Sequence, residues 1–266
     1  MPSVKPEDIV HALEEMGLPR ESDVFMHSSL SSMGKVEGGA RTVIDAILSW
    51  ILPGGTFMVP TFTFGGTIEF NIQTSSSKTG AITEAVRLLP QAARSTHPTH
   101  APCAIGPKAR KLMRRHLLAG PLDIGSPEDL MAKGGGWVLL LGVTHTSNST
   151  VHVGEAYAGS YSRLMTFSPL NPGHPVIVDA KGVRRRVTQT SMPGCSQGFS
   201  AIEDPMRDRG MIRDGKIGDA TCQLMKGQDI IDVAIAMLAD DPLALLCDND
   251  DCLSCGRLRR FLAATG

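Results

Sequence analysis

The sequence predicts an α/β protein, and three observations carry that expectation. The first 64 residues read as helix, strand, loop, helix, strand, the alternation from which helices come to cover a sheet. Two apolar runs, TFMVPTFTF (56–64) and GWVLLLGV (136–143), are dense in β-forming residues and read as buried strands. A length of 266 residues with 42% hydrophobic content is ample for one large core. Residues 1–266 are therefore expected to form a single domain with a hairpin insertion.

Each element has a local reason. Ile9, Val10, Leu13 and Met16 recur at helical spacing over 6–16, and Gly17 marks the stop. DVFMHSS (23–29) is a short apolar run ending in hydroxyls, as a strand does when it feeds a functional loop. Residues 37–55 open on Gly38-Gly39, run as a helix and close on Pro53-Gly54-Gly55 before strand 56–64. The polar, glycine-rich stretch 65–78 reads as a loop, 80–90 as a helix stopped at Pro90, and 106–118 as one basic-faced helix. Ser126 as N-cap and Pro127 at the first helical position start a helix over 126–134. Strand 136–143 leads into a capped helix over 147–159. Two β-rich runs around Lys181-Gly182 predict a hairpin over 175–190, and 198–210 and 226–242 read as helices.

Composition excludes several classes of function. Lys+Arg 26 against Asp+Glu 27 gives a net charge of −1, without the basic excess of a nucleic-acid binder. Aromatic content of 5% offers few platforms for stacking bases. The N-terminus lacks a signal-type apolar core, and runs such as VLLLGV (138–143) are too short for a bilayer, so no membrane partner is expected. Six scattered cysteines in a chain of this size read as reduced thiols of a cytoplasmic protein.

Four segments hold chemistry-bearing residues. HSSLSSMGKVEGG (27–39) gathers Ser28, Ser29, Ser31, Ser32, Gly34, Lys35 and Gly38-Gly39 ahead of a helix. Hydroxyls, a cation and small residues suit a phosphate or pyrophosphate at a helix N-terminus. The segment is neither GxxxxGK[ST] nor GxGxxG, and an ordinary Ser/Gly loop shares its composition. In HTSNSTVHVGE (145–155), His152 and Glu155 stand three apart and share a helix face. A carboxylate against an imidazole fixes its tautomer and raises its basicity, which suits a general base; a surface salt link has the same spacing. Position favours the functional reading, because the pair follows strand 136–143, beyond whose end an open α/β sheet places its site.

RSTHPTHAP (94–102) offers Arg94 and Ser95 as phosphate contacts and has His97 and His100 without HExxH spacing or a nearby acidic ligand. Hydrogen-bonded histidines in a structural loop fit it equally well. CDNDDCLSC (247–255) contains one CxxC, with Cys247, Asp248, Asp250 or the distant Cys195 as further zinc ligands. A complete site wants two ligand pairs, so free thiols and no bound metal are the expectation. Cys195, in MPGCSQGF (192–199), has no local base and reads as a packed loop residue rather than a nucleophile.

Taken in order, HSSLSSMGKVEGG, GGTFMVPTFTF, RSTHPTHAPCAIG, GSPEDLMAKGGGWVLLLGV and SNSTVHVGEAYAG resemble the aminoglycoside 3-N-acetyltransferase family, which is unrelated in fold to the larger GNAT group. The resemblance covers more than half of the chain. It implies a mixed central β-sheet flanked by helices, the antibiotic N-acetyltransferase-like fold, with a C-terminal hairpin and helical part. It implies acetyl-CoA as co-substrate and acetyl transfer to the 3-amino group of a 2-deoxystreptamine antibiotic, a small-molecule amine. His152 matches the family's catalytic histidine, and Glu155 the glutamate beside it. Ser28, Ser29, Ser31, Ser32, Gly34, Lys35 and Val36 fall in the loop that meets pantetheine and pyrophosphate. Arg94 and Ser95 match the family's RS before HP as CoA contacts.

Three departures bear on the acceptor: Ala101 in place of a common serine, Leu122 in place of an aromatic, and Gly154 inside the HxxE helix. The loop 65–78 holds only Glu69, and Asp123, Glu203 and Asp204 complete the acidic candidates for a polycationic substrate. The expected mechanism is direct transfer in a ternary complex. His152, oriented by Glu155, takes the proton of the amine, and backbone N–H groups or the Thr61 hydroxyl face the oxyanion. Two rivals stand beside it: the same chemistry on a non-antibiotic amine, and a non-catalytic, zinc-stabilised binding protein.

Overall fold

The computed structural model describes residues 3–64, 69–160, 175–187 and 193–265. The expected opening alternation forms as α1 (Pro6–Glu15), β1 (Val24–Ser28), α2 (Ala40–Ile51) and β2 (Phe57–Pro60). The middle of the chain supplies β3 (Glu69–Asn71), α3 (Ala81–Arg87), β4 (Ala93–Arg94), β5 (Pro102–Ile105), α4 (Ala109–Met113) and α5 (His116–Ala119). After these come α6 (Pro127–Lys133), β6 (Trp137–Leu141), α7 (Thr150–Tyr157), β7 (Val176–Val178) and β8 (Arg184–Arg186). The remainder comprises α8 (Glu203–Asp208), β9 (Arg213–Ile217), β10 (Ala220–Lys226), α9 (Gly227–Asp240) and α10 (Cys255–Thr265).

Seven strands form one mixed sheet in the order β4-β5-β2-β1-β6-β10-β9. β1 runs parallel to both neighbours, with Val24 opposite Phe57 and Trp137, whereas β5 and β10 run antiparallel to the strands they flank. Alternation along β1 divides the core. Val24 and Met26 pack with Ile9, Leu13, Val43 and Ile47 of α1 and α2 on one face. Phe25 packs with Met58, Leu140, Val151, Ile230 and Val233 on the other, under α7 and α9. His27, two residues on from Phe25 and 4.5 Å from its ring, therefore emerges on the α7 side. Because β1 lies between β2 and β6, the carboxyl ends of all three open to one edge, where open α/β sheets place their ligands.

The structure also departs from the sequence reading. The 106–118 helix breaks into α4 and α5. Buried His116 draws the chain inward there, its Nδ1 lying 2.7 Å from Ser95 Oγ and its Nε2 2.8 Å from the Pro121 carbonyl. Loop 65–78 contains β3, which pairs with the β7–β8 hairpin in a separate three-stranded sheet anchored by fully buried Phe70. The hairpin forms around Lys181-Gly182 as expected, and 188–190 lie outside the described residues. The β9–β10 hairpin and α10 have no counterpart in the sequence reading, and the 198–210 helix begins as a 3-10 turn over Phe199–Ile202. Among the described residues, no helix is long and apolar enough to cross a membrane.

Candidate active site

The ends of β1, β2 and β6 meet at a cavity of about 510 Å³. His27 and Ser28 come from β1, Phe62 and Phe64 from the chain after β2, and 143–152 from the chain after β6. His100, Leu122 and Pro193 close the remaining sides.

α7 holds His152 in the wall of this cavity, with Glu155 behind it. His152 Nδ1 lies 2.6 Å from Glu155 Oε2, with the two residues 4% and 1% exposed. This is a buried pair, not the surface link that shares its spacing. With Nδ1–H donated to the carboxylate, the lone pair of the neutral imidazole sits on Nε2. Phe199 braces the ring edge-on at 4.6 Å. Gly154 has a packing reason: a Cβ there would come within 2.5 Å of Ala234 Cβ on α9, so glycine permits the close crossing of the two helices. Ser149 precedes α7 without a side-chain cap; instead Asn148 Oδ1 accepts from the Thr150 N–H at 3.3 Å.

His27 escaped the sequence reading, although its place at a strand end before two serines was a usable signal. Burial, with His145 nearby, pulls its pKa down to about 3, so it faces the cavity as a neutral ring. Its Nε2 lies 3.5 Å from Ser149 Oγ.

A second depression, a groove of about 450 Å³, meets the cavity at Ser28. Ser28, Ser29, Ser31, Gly34 and Val36 line it, with Gly39, Gly80 and Ala81 opposite. Ser28 Oγ is buried and has no hydrogen-bond partner among the described residues. Ser32 braces the loop from behind, its Oγ 2.8 Å from Ser29 Oγ and 3.0 Å from the Gly142 carbonyl. Gly34 has φ +75°, and a Cβ there would meet the Asp219 carboxylate at 2.5 Å, so both conformation and space require glycine. Lys35 is exposed and stands outside the groove lining.

Several expected site residues are employed elsewhere. The Arg94 guanidinium donates to the Thr61 carbonyl at 2.8 Å and the Ser75 carbonyl at 2.5 Å, and packs over Phe70. Burial lowers its pKa to about 10, so it keeps its charge. Ser95 is fully buried on His116. Neither residue is among the described residues that line the groove or the cavity, and the hydrogen bonds of both serve the fold. Thr61 donates its hydroxyl to the Ala101 carbonyl at 2.7 Å, away from the cavity lining, and so is not positioned for an oxyanion.

None of the four acidic candidates is among the described residues that line the cavity. Glu69 pairs with Arg184 at 2.6 Å, and Glu203 holds Arg207 and Gln223. Asp123 Oδ1 accepts from the Ile124 N–H, and Asp204 is exposed on α8. Among the described residues the cavity lining contains no carboxylate, and its charged side chain is Lys78. Cys195, Cys247, Cys252 and Cys255 converge, with their sulfurs all within 4.8 Å of one another.

The sequence pattern of the aminoglycoside 3-N-acetyltransferase family matches residues 25–239. Aminoglycoside N(3)-acetyltransferase IV from Salmonella sp. is 29% identical over 243 residues, covering 90% of this chain and 89% of the relative. Crystal structures of aminoglycoside acetyltransferase AAC(3)-IVa align over 98% of both chains at 26% identity. The TM-score is 0.83 for the apoenzyme and 0.84 for a histidine-to-alanine mutant in complex with a gentamicin. With the pattern spanning the sheet, the groove loop and the His152–Glu155 pair, this chain belongs to the aminoglycoside 3-N-acetyltransferase family and is an acyltransferase.

Proposed function

We propose that this protein transfers the acetyl group of acetyl-CoA to the 3-amino group of a 2-deoxystreptamine aminoglycoside, with His152 as general base. The observation that carries this reading is the buried His152–Glu155 pair facing a cavity that joins the serine-lined groove. The groove suits the donor. Its hydroxyls and backbone complement the amides of pantetheine, and it ends at Gly39, where the first N–H groups of α2 favour a pyrophosphate. The Ser28 hydroxyl, without a hydrogen-bond partner among the described residues, stands where donor and acceptor meet, and we assign it to the thioester oxygen.

The chemistry then follows from the pair. An amine near neutral pH is mostly protonated and does not attack. The ammonium first gives up one proton to solvent; as the free amine attacks, His152 removes the second from nitrogen, and Glu155 stabilises the resulting imidazolium through Nδ1. Nitrogen attacks the thioester carbonyl, a C–N bond forms, the C–S bond breaks, and the proton leaves with the CoA thiol. Free thiols and a metabolic acyl donor support a cytoplasmic setting.

The gentamicin-bound relative supports an aminoglycoside acceptor. Lys78, in a cavity lining without a carboxylate among the described residues, favours a second acceptor class, a less cationic amine handled by the same residues. Thiol release from acetyl-CoA against a panel of aminoglycosides and monoamines, with NMR of the products, decides between them. Acetylation at the 3-amino group supports the first reading. Inert drugs beside an acetylated monoamine move the acceptor, and no acetyl-CoA binding contradicts both.

A further inference from the structure

The cysteine cluster lies outside the machinery just described. Cys252 and Cys255 open α10, Cys247 precedes them, and Cys195 arrives from a loop on the far side of α8, β9, β10 and α9. Zinc bound to four thiolates at about 2.3 Å spaces the sulfurs about 3.8 Å apart. A set already within 4.8 Å is therefore close to that tetrahedron. Such soft, tetrahedral sulfur sets select zinc over the harder divalent ions.

Two further observations point the same way. Backbone N–H groups already face the sulfurs, Gln197 N–H donating to Cys195 Sγ at 3.4 Å and Cys255 N–H to Cys252 Sγ at 3.5 Å. Such bonds orient and stabilise thiolate ligands. Arg259 adds a cation, its Nη1 donating to the Cys247 carbonyl at 2.6 Å and its Nε 3.4 Å from the exposed Asp250 carboxylate, while its buried Nη2 has no hydrogen-bond partner among the described residues. A zinc tetrathiolate is a net dianion, and an adjacent guanidinium offsets that charge. The tail has little else to hold it: the small cluster beneath α10 is built from Leu246, Leu258 and the cysteines themselves, with Leu262 packed against it.

We propose that Cys195, Cys247, Cys252 and Cys255 form a structural zinc site that fastens the C-terminal helix to the acceptor wall of the active site. Four protein ligands leave no open position, so the role is positional. Cys195 stands between Gly194 and Ser196, which line the cavity with Pro193. Farther along the same loop, Phe199 braces the His152 ring. Gly198 lets this loop lie directly on the tail, since a Cβ there would come within 2.4 Å of the Leu246 carbonyl carbon. The metal thus sets the position of a wall that touches the acceptor; this second part rests on the acceptor reading of the cavity.

The test begins with elemental analysis and thiol titration of the full chain purified under reducing conditions without chelator. About one zinc per chain is expected. Zinc below about 0.1 per chain, iron in its place, or disulfide-linked cysteines overturns the site. Cys255→Ser, remote from the cavity, and Cys195→Ser should each lose zinc, lower Tm and remove hydrogen-exchange protection from α10. For the acceptor role, Cys255→Ser should raise acceptor KM about tenfold while acetyl-CoA KM stays within about twofold. Lost zinc with unchanged acceptor KM overturns the positioning role. Zinc content is read whatever amine the enzyme accepts, so the metal site and the acetylation reading fail separately.

Discussion

The donor groove and the acceptor cavity share Ser28 yet are built in opposite ways. The groove takes most of its wall from one stretch of chain, 28–36, and presents hydroxyls and backbone. The cavity is assembled from the ends of three strands, the His100 loop and residues 193–196, and presents aromatic rings and imidazoles. A strip for an elongated donor fits in one loop. A chamber for a compact acceptor needs walls that only tertiary folding brings together. Perturbations should accordingly separate into those felt by one substrate and those felt by both.

The largest effect expected short of removing the base is at Glu155. Glu155→Gln keeps the shape but removes the charge behind the imidazole, so kcat should fall at least about tenfold with both KM values little changed. A proportional rise in either KM would mean that the pair positions substrate instead. Next comes Gly34→Ala, which sets φ +75° against a Cβ and drives it into Asp219. About 1–3 kcal/mol of backbone strain is expected, read as a lower Tm and a raised acetyl-CoA KM with acceptor KM unchanged. Equal changes in both KM values would break the division between groove and cavity.

The buried histidines should also make the fold acid-sensitive. Burial holds His27 near about 3, His116 and His145 near about 4, and His97 well below 6.5. The unfolded chain binds these protons at about 6.5, so stability is lost as pH falls below that value. Glu128, pushed up to about 8 by burial, keeps its proton in the fold while the unfolded chain releases it above about 4.5. Stability therefore declines again as pH rises toward 8, giving a maximum near pH 6.5. A Tm–pH curve should show both limbs, and Glu128→Gln should flatten the alkaline one, worth at most about 1.4 kcal/mol per pH unit. The smallest effect belongs to Lys78→Ser, which should lower the KM of a polycationic acceptor a few-fold, most visibly at low salt. No change would place the amine's charge away from Lys78.

This asymmetry also explains what was legible in the sequence. Contiguous features could be read: the serine loop, the His152–Glu155 spacing, the Ser126-Pro127 start of α6 and the central strands. Features that depend on distant partners could not. Arg94 and Ser95 look like anion ligands in isolation, and only the fold shows the carbonyls and the ring nitrogen that engage them. Cys195 stands in the sequence only as one possible zinc ligand beside Asp248 and Asp250, and the fold brings its sulfur to those of the C-terminal tail. Mostly exposed β9, RDGKI, carries no apolar alternation and exists because β10 pairs with it at the sheet edge. Glu69 reads in the sequence as a loop charge, whereas its ion pair with Arg184 ties the small sheet together.

The most direct test of the central claim is a comparison of wild type and His152→Ala with both ligands: equilibrium binding of acetyl-CoA and of gentamicin, then single-turnover thiol release. The account predicts unchanged acetyl-CoA binding, retained acceptor binding and turnover lower by about 10²–10⁴-fold. Near wild-type turnover in the variant would contradict His152 as the base.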